Sequence, residues 1–178
     1  MDNHIEIDTI SLSKTFLIIT YVASFTIPFL IGGPQILVGI LVNIALIYAA
    51  ITYKDIKTLF PLFFLPSIGV LTRGYIFGPF TPLLFYMVPF IWASNATLIL
   101  VIKNLYVEKK FNYFFTLLIA SLIKTFVLYL SAYGYFSFKI LPAIFLKTMG
   151  FNQFLTATIA GIIVYMIIKT KNLNLIKK

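Results

Sequence analysis

The chain has 178 residues, of which 61% are hydrophobic and 11% charged, with a mean hydropathy of +1.01 and a formal net charge of +9. A soluble domain of that size cannot hide so much apolar surface, because a large share of any small fold faces water. The composition excludes an ordinary soluble enzyme and predicts one integral membrane domain over 1–178, since no charged or Ser/Gly-rich linker divides it.

Long apolar runs separated by short polar breaks predict an all-α membrane protein rather than a barrel, which would alternate apolar and polar residues in segments of about ten. Six spans are expected in chain order. The first covers about 15–31, TFLIITYVASFTIPFLI, and ends at Gly32, Gly33 and Pro34. The second covers about 36–53 and is closed by KDIK. The third, about 58–71, is short and carries Pro61 and Pro66, so it is expected to be tilted, kinked or partly re-entrant; a re-entrant third segment would leave five spans. The fourth, fifth and sixth cover about 83–102, 111–136 and 154–168. Between the last two lies ILPAIFLKTMGFNQ, too short to cross and amphipathic enough to lie at the membrane surface. Residues 1–13 and 169–178 are expected as cytoplasmic tails, and the acidic opening MDNHIEIDTI lacks the pattern of a cleaved signal.

The basic residues set the expected orientation. With the N-terminus inside, ten lysines fall on the inner side, from Lys14 to Lys178, against three outer cations, Arg73, Lys139 and Lys147. That bias predicts cytoplasmic N- and C-termini. It also accounts for the net charge without nucleic acid, because no basic arm with interleaved aromatics is present. The outer loops are then GGPQ, the stretch TRGYIFGPFTP at 72–82, and the 137–153 connection.

Polar residues inside lipid are costly and need a reason. Lys124 lies mid-span, with Ser121, Leu128 and Ser131 at helical spacing on the same face. It either binds or couples to a substrate, or caps backbone carbonyls. Asn43 shares a face with Gly39, and Asn95 with Trp92. Both either join helices by hydrogen bonds or line a cavity with Lys124. Arg73 is either an interfacial anchor or a cation facing an anionic ligand group. Gln35, Asn152 and Gln153 stand at outer mouths, where neutral amides can orient a ligand. The small-residue pairs Ala45/Ala49 and Ala157/Gly161 point to close helix packing.

No catalytic constellation is visible. The five carboxylates, Asp2, Glu6, Asp8, Asp55 and Glu108, fall outside the spans, there is no P-loop, and the chain has no cysteine and one histidine, His4. No enzyme activity, metal or cofactor is expected.

Four stretches taken together carry a resemblance: GGPQILVGILVNIAL (32–46), LPSIGVLTRGYIFGPFTPLLFYMVPFIWASNATLILV (65–101), IASLIKTFVLYLSA (119–132) and MGFNQFLTATIAGII (149–163). Their G-x-x-V-N, P-F-x-x-x-S-N, S-x-x-K and Q-x-x-T-A patterns, in that order, resemble a group of small prokaryotic membrane proteins similar to the S components of energy-coupling-factor transporters. Members are often carried under the label "iron hydrogenase", a chemistry that needs cysteine-ligated clusters, and this chain has no cysteine. The resemblance implies a six-helix bundle in the cell membrane that captures a small vitamin or micronutrient from outside. It implies docking on a transmembrane coupling protein driven by two ATPase subunits. It also implies substrate-binding roles for Gln35, Asn43, Arg73, Asn95, Lys124 and Gln153. The chain departs from the better-known S components in lacking A-x-x-x-A in its first span, where it has Thr20, Ala23 and Ser24. The competing reading is a solitary membrane protein without a transport cycle, acting as an assembly partner of another membrane complex.

Overall fold

The computed structural model describes residues 2–31, 33–73 and 78–176; within these, the side chains of 2–13, 73, 78, 79, 81 and 171–176 are outside the description. The described residues are helical throughout their spans and contain no strand. In chain order they form α1 (Asp2–Leu30), α2 (Gln35–Thr52), α3 (Ile56–Leu59), α4 (Pro61–Arg73), a 3₁₀ segment (Gly78–Met87), α5 (Val88–Val101), a π-helical segment (Ile102–Glu108), α6 (Tyr113–Ser137), α7 (Ile144–Met149) and α8 (Phe151–Ile176).

Local chemistry explains most of the boundaries. Gly33, at φ +147°, turns the chain between α1 and α2 through a backbone region that side-chain-bearing residues rarely adopt. Asp55 caps α3 by accepting the Lys57 amide at 3.0 Å. Asn112 caps α6 by accepting the amides of Phe114 and Phe115 at 3.0 and 3.2 Å. Pro61 opens α4, where a missing N–H costs nothing, and Pro66 lies inside it.

Four helices are long and apolar enough to cross a membrane: Gln35–Thr52, Pro82–Glu108, Tyr113–Ser137 and Ile144–Thr170. Two shorter apolar helices, Lys14–Leu30 and Ile56–Thr72, accompany them. Between 28% and 39% of each long window is buried, so most of every helix faces outward. That outward surface is apolar: on α1 it presents Phe16, Ile18, Ile19 and Val22, and on α6 Phe115, Leu122, Phe126 and Leu130. A surface of this kind belongs in hydrocarbon.

The six apolar segments close into a ring. α1 packs on α4, α4 on α5, α5 on α6, α6 on α8, α8 on α2 and α2 back on α1. A further contact, α2 with α5, crosses the ring. Close approach depends on small residues at two joints. A Cβ on Gly69 of α4 would stand 2.3 Å from the Phe25 carbonyl oxygen of α1. A Cβ on Gly39 of α2 would stand 3.0 Å from the Thr156 methyl of α8. The Tyr113 hydroxyl of α6 donates to the Gly161 carbonyl of α8 at 2.6 Å. Ala49 and Ala157 are fully buried, so both small-residue pairs contribute to packing inside the bundle.

The structure adds three particulars. The backbone of residues 2–13 continues α1 without a break. The 140–153 stretch lies on the bundle with one face buried and the other, including Ile140, Ile144 and Lys147, exposed. Leu141, Phe145 and Met149 recur every fourth residue and are buried against Leu84 and Met87 of the 3₁₀ segment and Leu128 and Ala132 of α6. Amphipathicity predicts a stripe that seeks apolar surroundings, and protein satisfies it as well as lipid. Lys103, counted among the inner-side lysines, is buried. The helix continues past Val101 as a π-helix, and Lys103 is carried into the interior, where Nζ donates to the Tyr53 carbonyl at 2.6 Å. Tyr53 ends α2, so the lysine satisfies one of the carbonyls that every helix C-terminus leaves unpaired.

Candidate functional site

The ring encloses a polar cluster contributed by five helices. Lys124 of α6, 2% exposed, lies on the buried face with Ser121, Leu128 and Ala132. Its Nζ donates to Asn43 Oδ1 on α2 at 2.7 Å and to Asn95 Oδ1 on α5 at 3.0 Å. The amide nitrogens of both asparagines are also engaged. Asn43 Nδ2 donates to Thr156 Oγ1 of α8 at 3.2 Å, and Asn95 Nδ2 to the Phe63 carbonyl of α4 at 3.2 Å. Pro66 cannot donate to the α4 ladder, and Phe63 lies within one turn of that interruption.

Each of these bonds has a sequence cause. Asn43 follows Gly39 by one turn, and it is the missing side chain at Gly39 that lets α8 bring Thr156 close. Asn95 follows Ser94, whose hydroxyl returns to the Ile91 carbonyl at 2.9 Å and leaves the amide as the outward-reaching group. Lys124 reaches the centre of the ring because its helix shows the bundle its small and apolar face.

Above the cluster is a cavity of about 100 Å³. Lys124, Asn43, Asn95 and Ser94 line its buried end, and Val38, Val42, Leu84, Ile91, Leu128 and Met149 supply apolar wall. Gln35, Asn152 and Gln153 also line it, and all three are half-buried, so this end reaches toward the surface. Asn152 and Gln153 belong to the first turn of α8 rather than to a loop.

Of the residues singled out from sequence, Gln35, Asn43, Asn95, Lys124 and Gln153 therefore share one cavity. Arg73 is the last residue of α4, and its side chain lies outside the described residues. Ser121 is buried beside Lys124's face but does not line the cavity, and Ser131 is bonded to the Val127 carbonyl. Ser67, Ser94 and Thr156 were not anticipated. Thr156 had a usable signal: it lies one turn after Asn152 on the helix that also carries Gln153. Ser67 accepts from Trp92 Nε1 at 2.6 Å and donates to the Phe64 carbonyl at 2.8 Å, so its hydroxyl is fully used.

The charge balance of the cluster is uneven. Lys124's partners are neutral amides, and no carboxylate meets it among the described residues. An ammonium has three donors, and two of them are taken. No group of three or more His, Asp or Glu side chains gathers among the described residues. Fold and site together define a helical protein with a membrane-type surface and an embedded cation at the end of a small internal cavity. Comparisons with protein-family models, with curated proteins and with solved structures found no match.

Proposed function

We propose that the chain is the membrane-embedded substrate-binding subunit of an importer of the energy-coupling-factor type, capturing a small anionic micronutrient from outside the cell. The observation that carries this reading is the cavity floored by Lys124, a buried cation held by two neutral asparagines with one donor to spare. A charge in that position is costly unless something of opposite sign joins it. The ring of six apolar segments and the lysine bias support a reading of six passes with both termini cytoplasmic. In that orientation the half-buried amides Gln35, Asn152 and Gln153 are at the outer end, where a ligand would enter. The chain carries no nucleotide-binding motif, so the cycle requires a coupling protein and two ATPase subunits as partners.

The reading is tested by equilibrating the purified protein with a metabolite extract and identifying what it retains by mass spectrometry. Wild type should retain a small acidic molecule that Lys124→Met does not. Retention of the same molecules by both proteins would reject the site.

One observation favours the alternative of a solitary membrane protein that assembles with another complex. Thr20 and Ser24, which stand where a small-residue docking face is expected on α1, are buried and bonded to their own helix. That alternative predicts that Lys124→Met abolishes a complex on native gels and leaves small-molecule retention unchanged.

A further inference from the structure

We infer that the molecule this cavity takes is a short monocarboxylate, bound with its carboxylate on Lys124 Nζ and its carbon chain toward the half-buried amides. The inference rests on the reading of the cavity as a ligand site and narrows it by hydrogen-bond accounting, charge and size.

At the buried end the polar groups are nearly all spent. Both asparagine oxygens accept from Lys124, and both asparagine nitrogens donate elsewhere. Thr156 accepts from Asn43 and donates to the Gln153 carbonyl at 3.1 Å. Ser94 and Ser67 have given their hydrogens to backbone carbonyls. The donor left is the third hydrogen of Lys124. A ligand group seated there must accept, and a group carrying negative charge gains most, because charge-assisted bonds are the stronger ones.

One cation admits one negative charge. A dianion such as a dicarboxylate would place its second charge against the apolar wall or on neutral amides, with no second cation among the described lining residues to balance it. An inorganic anion fits less well for another reason: it needs donors on several sides, and between Lys124 and the amides of Gln35, Asn152 and Gln153 at the far end the wall is largely apolar. A carboxylate on a short alkyl chain uses the single donor and the apolar wall together.

Size sets the chain length. An apolar cavity of ~150 Å³ holds benzene. By that scale the 100 Å³ here holds roughly four or five non-hydrogen atoms, the size of acetate or propionate. Pockets that bury drug-sized molecules are about 300 Å³ or larger, so a larger ligand would extend past the half-buried amides. The amides of Gln35, Asn152 and Gln153 stand where a hydroxyl or keto group on the chain would reach.

The test uses the full chain in lipid nanodiscs at neutral pH, with radiolabelled propionate in equilibrium dialysis. The expected result is saturable binding of one propionate per chain. Propionamide, succinate and octanoate should each compete roughly ten- to hundredfold more weakly, the loss expected when a charge-assisted bond or a fit is removed. Lys124→Met should lose binding to a similar degree, and Lys147→Met, a change at an exposed lysine of α7, should not. The acid-against-amide comparison needs no variant, so it decides even if Lys124→Met fails to fold. Equal competition by propionamide, or propionate binding that survives Lys124→Met, overturns the inference. If propionate does not bind but a larger molecule is retained from extract in a Lys124-dependent way, the short-acid inference fails and the cavity remains a ligand site. If nothing is retained, both fail.

Discussion

Replacing both asparagines around Lys124 by leucine, with and without removal of the lysine, gives opposite outcomes if the cluster is held by its charge. Asn43→Leu with Asn95→Leu removes the two bonds at 2.7 and 3.0 Å that solvate the buried ammonium. Bonds to a charged group contribute about 1.5–3 kcal/mol each, so the double variant should be destabilised by roughly 3–6 kcal/mol. Adding Lys124→Met removes the stranded charge. An apolar replacement of a whole buried polar cluster is often near neutral, so the triple variant should return to within about 2 kcal/mol of wild type. The lost bonds from Asn43 to Thr156 and from Asn95 to Phe63 are common to both variants and cancel in the comparison. Equilibrium unfolding in mixed detergent micelles measures the difference, followed by the fluorescence of Trp92, the sole tryptophan. The reasoning is refuted if the triple variant is less stable than the double.

Further variants probe the frame around the site. Gly69→Ala would place a Cβ 2.3 Å from the Phe25 carbonyl, a backbone atom that cannot rotate away, and should cost about 1–3 kcal/mol in the same assay. Lys103→Met deletes the bond that closes the end of α2 and should cost about 1–3 kcal/mol while leaving ligand retention unchanged. The cysteine-free sequence allows topology to be read directly. A single cysteine at Ser137 should react with a membrane-impermeant maleimide added to intact cells, and one at Lys109 should react only after the membrane is opened. The reverse pattern would invert the proposed orientation.

The helical class and the approximate positions of the apolar helices were legible because lipid demands long, uninterrupted apolar runs, and Gly32–Pro34 and KDIK punctuate them. Lys124, Asn43 and Asn95 were legible as positions because a polar side chain in such a run stands out against its neighbours. That α2, α5 and α6 bring these three into one cluster was legible only as one of two alternatives. Each helix has apolar residues all round, so hydrophobic periodicity does not reveal which face meets which partner. The same uniformity hid the burial of Phe145 and Met149, since a stripe bound for lipid and one bound for protein read alike. The burial of Lys103 was hidden for a related reason. A lysine at the end of an apolar run signals the cytoplasmic side, and nothing in IKNLYVE marks the π-helical continuation that turns it toward Tyr53. Thr156 takes its role from Gly39 on another helix, a pairing visible only once α2 and α8 are packed.

The account's central claim is that a short carboxylate joins Lys124 through its anionic group at the floor of the cavity. An experimental structure of the protein saturated with propionate tests it most directly. The account predicts density in the cavity with a carboxylate oxygen within hydrogen-bonding distance of Lys124 Nζ, and with Asn43 and Asn95 still holding the lysine. A cavity occupied by water alone, or propionate found elsewhere on the chain, would contradict it.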